Sequence, residues 1–310
     1  MGSNAGKLTV ATCQFPVDAD VTRNLWFVLQ QLREAASKGA DVVHFPECAL
    51  SGYAGSDFPD LAALNWSQLD HSMRQVMRWA AKTGVWVVIG STHRLTGGNK
   101  PHNSLYIIDS AGALVDRYDK LFCAGDITER TGDLAHYSPG NHLTVFEING
   151  VRCGTAICHD YRYPELYREY KRRDAQLIFH SYHAAHASAE DVAMMRAQVG
   201  LEVQALNPGG TYPGITMPAT MTAAAAANHM WISCPNSSAR ESCWATFVVR
   251  ADGITVGRLA RNRTGILIST VDTTADLYDS TSAWRGRALA GVLHSGTPVH
   301  DERSDRRTEL

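Results

Sequence analysis

Three stretches of this 310-residue chain run from apolar residues into a side chain able to do chemistry: Val42-Val-His-Phe-Pro-Glu47, Val115-Asp-Arg-Tyr-Asp-Lys120 and Cys153-Gly-Thr-Ala-Ile-Cys158. Together they supply a carboxylate, an ammonium and a thiol. A thiol is mostly protonated near neutrality, and its thiolate is the nucleophile. Glu47 is expected to take the thiol proton as general base and return it to a leaving nitrogen. Lys120, helped by the backbone N–H of His159, would stabilise the oxyanion that forms when Cys158 attacks a carbonyl carbon. Such a trio opens an amide through a thioester that water then releases, with no metal and no organic cofactor. Taken singly, each residue has a plainer reading. Cys158 can be a small buried hydrophobe, Lys120 a solvated turn residue and Glu47 a helix cap.

The elements that carry the trio must deliver their ends to one crevice. Leu8–Cys13 reads as a short strand. A helix follows over about Val21–Ser37, with Leu25, Val28, Leu29, Leu32 and Ala36 on one face. Asp41–Phe45 reads as a buried strand, Ser67–Lys82 as a helix, and Val85–Ser91 as a strand covered on both faces. Asn103–Asp109 and Ala113–Tyr118 form a hairpin. So do Leu143–Ile148 and Val151–Ile157 around Asn149-Gly150. Then come a helix at Pro164–Lys171, a strand at Ala175–His180 and a helix over about Ser188–Leu206. A turn-rich interruption, Asn207–Gly214, precedes a helix at Thr216–Asn228, and three late strands follow at Met230–Cys234, Thr246–Arg250 and Gly265–Asp272. Strands and helices interleave without a composition break, so one α/β domain with mixed sheets covered by helices is expected. Residues 276–310 are expected to be an extension that is loose unless a partner subunit holds it. Sites gather at the carboxyl ends of strands in such sheets, and the trio meets if its three strands are neighbours.

Composition narrows the setting. Hydrophobic residues make up 45% and charged residues 19%, the balance of a globular protein rather than a disordered one. A net charge of −2 gives no pull toward nucleic acid or an anionic membrane. Met1-Gly-Ser-Asn-Ala-Gly6 has no apolar core, so no secretory signal is expected there. Seven cysteines without a dense framework suit free thiols in a reducing compartment. The expectation is a cytoplasmic, soluble protein.

Phe45-Pro-Glu-Cys-Ala-Leu-Ser-Gly-Tyr53, Tyr118-Asp-Lys-Leu-Phe-Cys123 and Ile157-Cys-His-Asp-Tyr-Arg-Tyr-Pro-Glu165 resemble, in order, the glutamate, lysine and cysteine motifs of the nitrilase superfamily of carbon–nitrogen hydrolases. Tyr137-Ser-Pro-Gly140 is similar to the Pro-Gly turn before the family's cysteine hairpin. The resemblance covers roughly residues 7–275, the expected carbon–nitrogen hydrolase domain, and implies an α-β-β-α sandwich whose subunits pair into a homodimer or larger assembly. It also implies Glu47 as base, Lys120 as oxyanion stabiliser and Cys158 as nucleophile. Relatives carry a second carboxylate beside the lysine. Asp133 matches its spacing best, an Asp where Glu is usual, with Glu129 as the alternative. Tyr53 and His159 are expected to join Asp133 around the substrate.

True nitrilases typically have Trp and Glu after the cysteine. His159-Asp160 here points instead to the amidase-like branches and to a small amide or N-carbamoyl substrate that releases ammonia. A true nitrilase, a catalytically silent binding protein and a thiol redox sensor remain competing readings. Arg162 and Glu165 are expected to anchor the cysteine loop as an ion pair. The departure between His180 and Asn228 is expected to bear on substrate choice, with Asn207–Gly214 lying over the pocket. His180, His183 and His186 could ligate a metal, but no Cys or acidic ligand follows at a characteristic spacing. They are read as the rim of the pocket, and no metal is expected. Cys48 and Cys123 are read as packing residues.

Overall fold

A computed structural model describes residues 5–308. The strands are β1 (Lys7–Gln14), β2 (Val42–His44), β3 (Trp86–His93), β4 (His102–Ile108), β5 (Leu114–Asp119), β6 (Val145–Ile148), β7 (Val151–Ile157), β8 (Leu177–Ser181), β9 (Trp231–Cys234), β10 (Phe247–Val249), β11 (Thr255–Arg258) and β12 (Gly265–Asp272). The helices are α1 (Val21–Ser37), α2 (Trp66–Thr83), α3 (Pro164–Arg172), α4 (Ala189–Ala197), α5 (Tyr212–Asn228), α6 (Arg285–Leu289) and α7 (Glu302–Asp305). The strands build two six-stranded sheets, ordered β12-β1-β2-β3-β4-β5 and β11-β10-β9-β8-β7-β6.

Strand alternation decides what each sheet face buries. Val87 and Ile89 of β3 turn toward the α1 and α2 side, with Leu25, Val28, Leu32, Leu69 and Val76. Val88 turns the other way and joins Leu8, Val10, Val42, Leu105 and Tyr118 in the space between the sheets. Phe146, Val151, Leu177, Phe179 and Trp231 of the second sheet fill that space from the opposite side. The second sheet's outer face packs Ile178, Ile232 and Phe247 against Tyr167 and Tyr170 of α3 and Met217 and Met221 of α5. The layers are therefore α-β-β-α, as the motif resemblance implied. The helix ends follow local signals: Asp20 caps α1 by accepting from Thr22 and Arg23 N–H, and Asn65 caps α2 by accepting from Gln68 N–H.

A polar seam crosses the apolar space between the sheets. Thr12 Oγ1 lies 2.7 Å from Ser233 Oγ, and Ser233 Oγ lies 2.9 Å from His44 Nδ1. His44 Nε2 lies 2.8 Å from Ser181 Oγ, whose hydroxyl donates to Phe45 O at 2.8 Å. Because that hydroxyl proton is committed to a carbonyl, Ser181 accepts from His44 Nε2–H, and His44 Nδ1 accepts from Ser233. Burial, then the neighbouring His180, holds the His44 pKa well below the ordinary histidine value, which fits the neutral ring that this arrangement needs. The seam fixes Phe45 two residues before Glu47.

Several expectations are corrected. The strands carrying the trio are not neighbours: β3 and β4 separate β2 from β5, and β7 belongs to the other sheet. The single helix expected over Ser188–Leu206 is α4 followed by a 3-10 turn at Leu201–Leu206. The break falls at Gly200, whose φ of +83° suits glycine and no helix interior. The Asn207–Gly214 interruption is shorter than expected, because Thr211 caps α5 through Gly214 N–H and Pro213 sits in the first turn, where its missing N–H costs nothing. A fourth late strand, β11, pairs with β10. The extension packs back as far as α6: Arg172 Nε donates to Leu289 O at 3.0 Å, and Arg285 pairs with Asp279 at 2.6 Å. No helix among the described residues is long and apolar enough to cross a membrane.

Candidate active site

The trio meets because the two sheets face each other. β5 runs parallel to β2 through the intervening β3 and β4 pairings, so Glu47 and Lys120 leave the same end of their sheet. Cys158 arrives from β7 on the opposite sheet. Pro46 and Glu47 press against β3 at Gly90, where a Cβ would come within 2.3 Å of Pro46 O and 2.4 Å of Cys48 N. Only glycine permits that approach.

Glu47 is fully buried and each of its oxygens is held. Oε1 accepts from Lys120 Nζ at 2.8 Å and from Asn103 Nδ2 at 2.8 Å, and Oε2 accepts from the His183 backbone N–H at 2.9 Å. The Cys158 thiol lies close enough to feel the charges of Glu47 and Lys120. Lys120 Nζ contacts Asp133 Oδ2 at 2.7 Å. Asp133 is locked in turn: its N–H donates to Ala124 O at 2.7 Å, Ala124 N–H donates to its Oδ2 at 2.7 Å, and Tyr53 OH donates to its Oδ1. The shorter side chain reaches Lys120 because this interlock draws the turn at Gly132–Ala135 onto residue 124. Glu129, the alternative second carboxylate, is 83% exposed and reaches only Lys100, at 4.0 Å.

The charges support one another. Burial works against the Lys120 ammonium, but Asp133 and then Glu47 more than offset it and hold the Lys120 pKa well above the ordinary lysine value. Burial works to raise Asp133, and Lys120 outweighs it, so Asp133 stays ionised. Burial, reinforced by the Glu47 charge and opposed by Lys120, pushes the Cys158 thiol well above its ordinary value. The Cys158 thiol is thus held protonated beside Glu47 and Lys120.

Cys158 has φ +40°, a left-handed conformation that costs energy for a residue with a Cβ. Two residues hold this elbow. Asp160 accepts from Ile157 N–H at 2.9 Å, Tyr118 OH at 2.8 Å and Phe122 N–H at 2.8 Å, tying the cysteine turn to the segment that carries Lys120. Burial nonetheless pushes the Asp160 pKa up to about 6. His180 Nε2 lies 3.2 Å from Cys158 O, and its Nδ1 lies 2.7 Å from Tyr167 OH. A carbonyl only accepts, so the proton sits on Nε2; burial lowers the His180 pKa to about 3 and keeps the ring neutral.

The remaining expected residues divide. Tyr53 stands beside Lys120, whose Nζ is 5.6 Å from the ring centre. The His159 ring packs edge-on to Tyr163 at 5.6 Å, and no hydrogen bond among the described residues joins it to the trio. His159 N–H is nevertheless an early amide of a 3-10 turn, before the i→i+3 bonds begin. No ion pair joins Arg162 to Glu165 among the described residues; Arg162 lies over the Tyr161 ring at 5.0 Å instead. Residues 209–211 line a cleft with α4 and residues 241–243. The three histidines do not act as one cluster, since His180 faces Cys158 while His183 and His186 face Asp57. Sequence reasoning missed the roles of Asn103, the His183 amide and Asp160, and placed His180 on the pocket rim rather than against the cysteine turn. Asp160, two residues after the cysteine, stood in a motif, and His180 stood in the histidine cluster. Cys48 and Cys153 are buried, and all seven cysteines are free.

A carbon–nitrogen hydrolase family profile matches residues 9–278. An omega-amidase of Xenopus tropicalis is 29% identical over 177 residues, covering 56% of this chain and 62% of its own length. A 2-oxoglutaramate amidase of Bacillus subtilis (strain 168) is 30% identical over 150 residues, covering 47% of this chain and 53% of its own. The chain thus matches less than two-thirds of the length of these curated relatives. Among solved structures, a mutant amidase from Nesterenkonia sp. AN1, showing covalent addition of the acetamide moiety of fluoroacetamide at the active site cysteine, superposes with a TM-score of 0.70 at 20% identity. That match covers 94% of this chain and 99% of that one, and it shows a shared fold.

Proposed function

The chain belongs to the carbon–nitrogen hydrolase family, and from that premise we propose that it hydrolyses a small amide or N-carbamoyl compound and releases ammonia. The observation that carries this reading is the buried Glu47 carboxylate, which accepts from Lys120 at 2.8 Å and whose charge, with that of Lys120, acts on the Cys158 thiol. Base and cation are in hydrogen-bond contact, with the nucleophile beside them, before any substrate arrives. The amidase relatives and the His159-Asp160 pair favour an amide over a nitrile.

Glu47 takes the thiol proton as Cys158 Sγ bonds to the carbonyl carbon. The carbonyl electron pair moves to oxygen, where Lys120 Nζ and the His159 N–H receive the charge. Lys120 has three protons and two are engaged by Glu47 and Asp133, so one is left for this oxygen. Collapse of the intermediate breaks the carbon–nitrogen bond, and Glu47 returns the proton to the leaving nitrogen, which departs as ammonia. A water molecule then gives a proton to Glu47 and attacks the thioester. A second collapse frees the acid and restores the thiol with the proton held by Glu47. Asp133 and Tyr53 set the height of Lys120 beside the substrate.

An ammonia-release screen over small amides, N-carbamoyl amino acids, N-carbamoyl amines and nitriles tests the assignment, followed by intact mass spectrometry after brief exposure to the best substrate. An acyl adduct on Cys158, absent from Cys158→Ala together with turnover, is the expected result. Full activity in Cys158→Ala would sink the mechanism.

A further inference from the structure

The loop after Glu47 and the loop after β8 meet at a second place, beside the site and away from the thiol. Asp57 lies between two imidazoles, its Oδ2 3.1 Å from His183 Nε2 and its Oδ1 3.2 Å from His186 Nε2. The three donor atoms fall within 4.8 Å of one another. The Asp57 and His183 side chains are sealed from solvent, while the His186 side chain is 36% exposed and opens a path inward. Despite these short separations, His183 Nε2 and Asp57 Oδ1 have no hydrogen-bond partner among the described residues. The atoms are close without being aligned on each other, which suits groups that aim at a common third atom. His186 is held at φ +59°, a conformation that a residue with a Cβ adopts only when its surroundings impose it.

We propose that Asp57, His183 and His186 bind one divalent transition-metal ion of the zinc type. Two imidazoles and a carboxylate are a common three-ligand set for zinc, with water in the fourth position. Bonds of about 2.0–2.1 Å in a tetrahedron place neighbouring ligand atoms about 3.3 Å apart, close to the 3.1 and 3.2 Å seen here. Tyr53 N–H, donating to Asp57 Oδ2 at 2.8 Å, is the outer support that orients the carboxylate. His186 Nε2 also lies 3.1 Å from Val17 O, and the ion replaces that contact as the ring releases its proton. The bound ion joins residues 53–57 to residues 183–186. Because the His183 amide donates to Glu47 Oε2, it braces the carboxylate of the proposed base without touching Cys158.

The test uses the full chain, stripped with a chelator, dialysed and titrated calorimetrically with zinc. One ion per chain is expected in the unaltered protein and in Cys158→Ala, with a rise in melting temperature. His186→Gln and Asp57→Asn should bind at least tenfold more weakly and lose the thermal shift. Cobalt(II) in the same site should give visible bands without a thiolate charge-transfer band. Equal affinity in His186→Gln, a thiolate band, or no stoichiometric ion in the unaltered protein would overturn the proposal; the last outcome would leave a His–Asp–His clasp. Because Cys158→Ala is expected to lose turnover and keep the ion, failure of the amidase reading and failure of the metal site are read separately.

Discussion

Lys120 has three ammonium protons, and two carboxylates hold two of them. Asp133 therefore tunes where the remaining proton points, more than whether Lys120 is charged. Asp133→Asn removes one anion and one strong acceptor, and kcat/KM is expected to fall about 10–100-fold, mostly in kcat, because the proposed oxyanion contact of Lys120 forms only in the transition state. Tyr53→Phe deletes one hydrogen bond to Asp133, and its expected cost is about 1 kcal/mol, or roughly fivefold in rate. Steady-state kinetics on both variants check these values; equal losses would mean that Tyr53 touches substrate directly. Glu47, Lys120 and Cys158, the proposed trio, could be singled out in the sequence because covalent chemistry demands those residue types and each stood in a motif. Asp133 and Glu129 could not be ranked firmly from spacing, since the difference is a turn that folds onto Ala124. The His183 amide was invisible because any residue supplies a backbone N–H. The Asp57 partnership was hidden by the length of chain between Asp57 and the two histidines.

At the scale of elements, the site depends on a glycine in β3 and a histidine at the end of β8. Gly90→Ala drives a methyl group into Pro46 O and Cys48 N. Overpacking of this kind costs about 1–3 kcal/mol, and the displaced strand end is expected to lower kcat more than the stability loss explains. Denaturation midpoints beside kinetics on the folded fraction separate the two effects. His180 is kept neutral in the fold, with its pKa lowered from the ordinary value near 6.5 to about 3. The unfolded chain therefore takes up a proton that the folded one refuses. The stability this neutral ring contributes is present in full above about pH 6.5 and is lost as pH falls toward 3, on the order of a few kcal/mol. Asp160, raised to about 6, acts in the opposite sense between about pH 4 and 6, so the comparison must be differential. His180→Gln should show a shallower loss of stability than the unaltered protein between pH 6.5 and 4, read from urea midpoints. An identical slope would remove His180 from the account. Strand and helix positions were largely readable from periodicity, but the break after α4 was not, although Gly200 carried the signal.

Across the whole molecule, the proposed chemistry sits in neither sheet alone. Interleaved elements made the layers legible, yet the condition set for the trio to meet, three neighbouring strands, is not how it meets. Periodicity describes which faces are apolar and says nothing of which sheet a strand joins. The apolar filling between the sheets and the His44 seam set the distance from Cys158 to Glu47, so activity should vanish together with global unfolding. A urea titration followed by fluorescence and by ammonia release is expected to give coincident transitions, and an early loss of activity would point to local opening of the site instead. β12 makes this coupling stricter. It pairs with β1 along eight residues, from Lys7↔Asp272 to Gln14↔Gly265, so the first strand of the chain gains its outer neighbour only from the last. During synthesis on a ribosome, β1 must wait with an unpaired edge until residue 272 has emerged, a span in which strangers can pair with it. Nascent chains arrested before β12 should therefore bind chaperones, and chains released just after it should not.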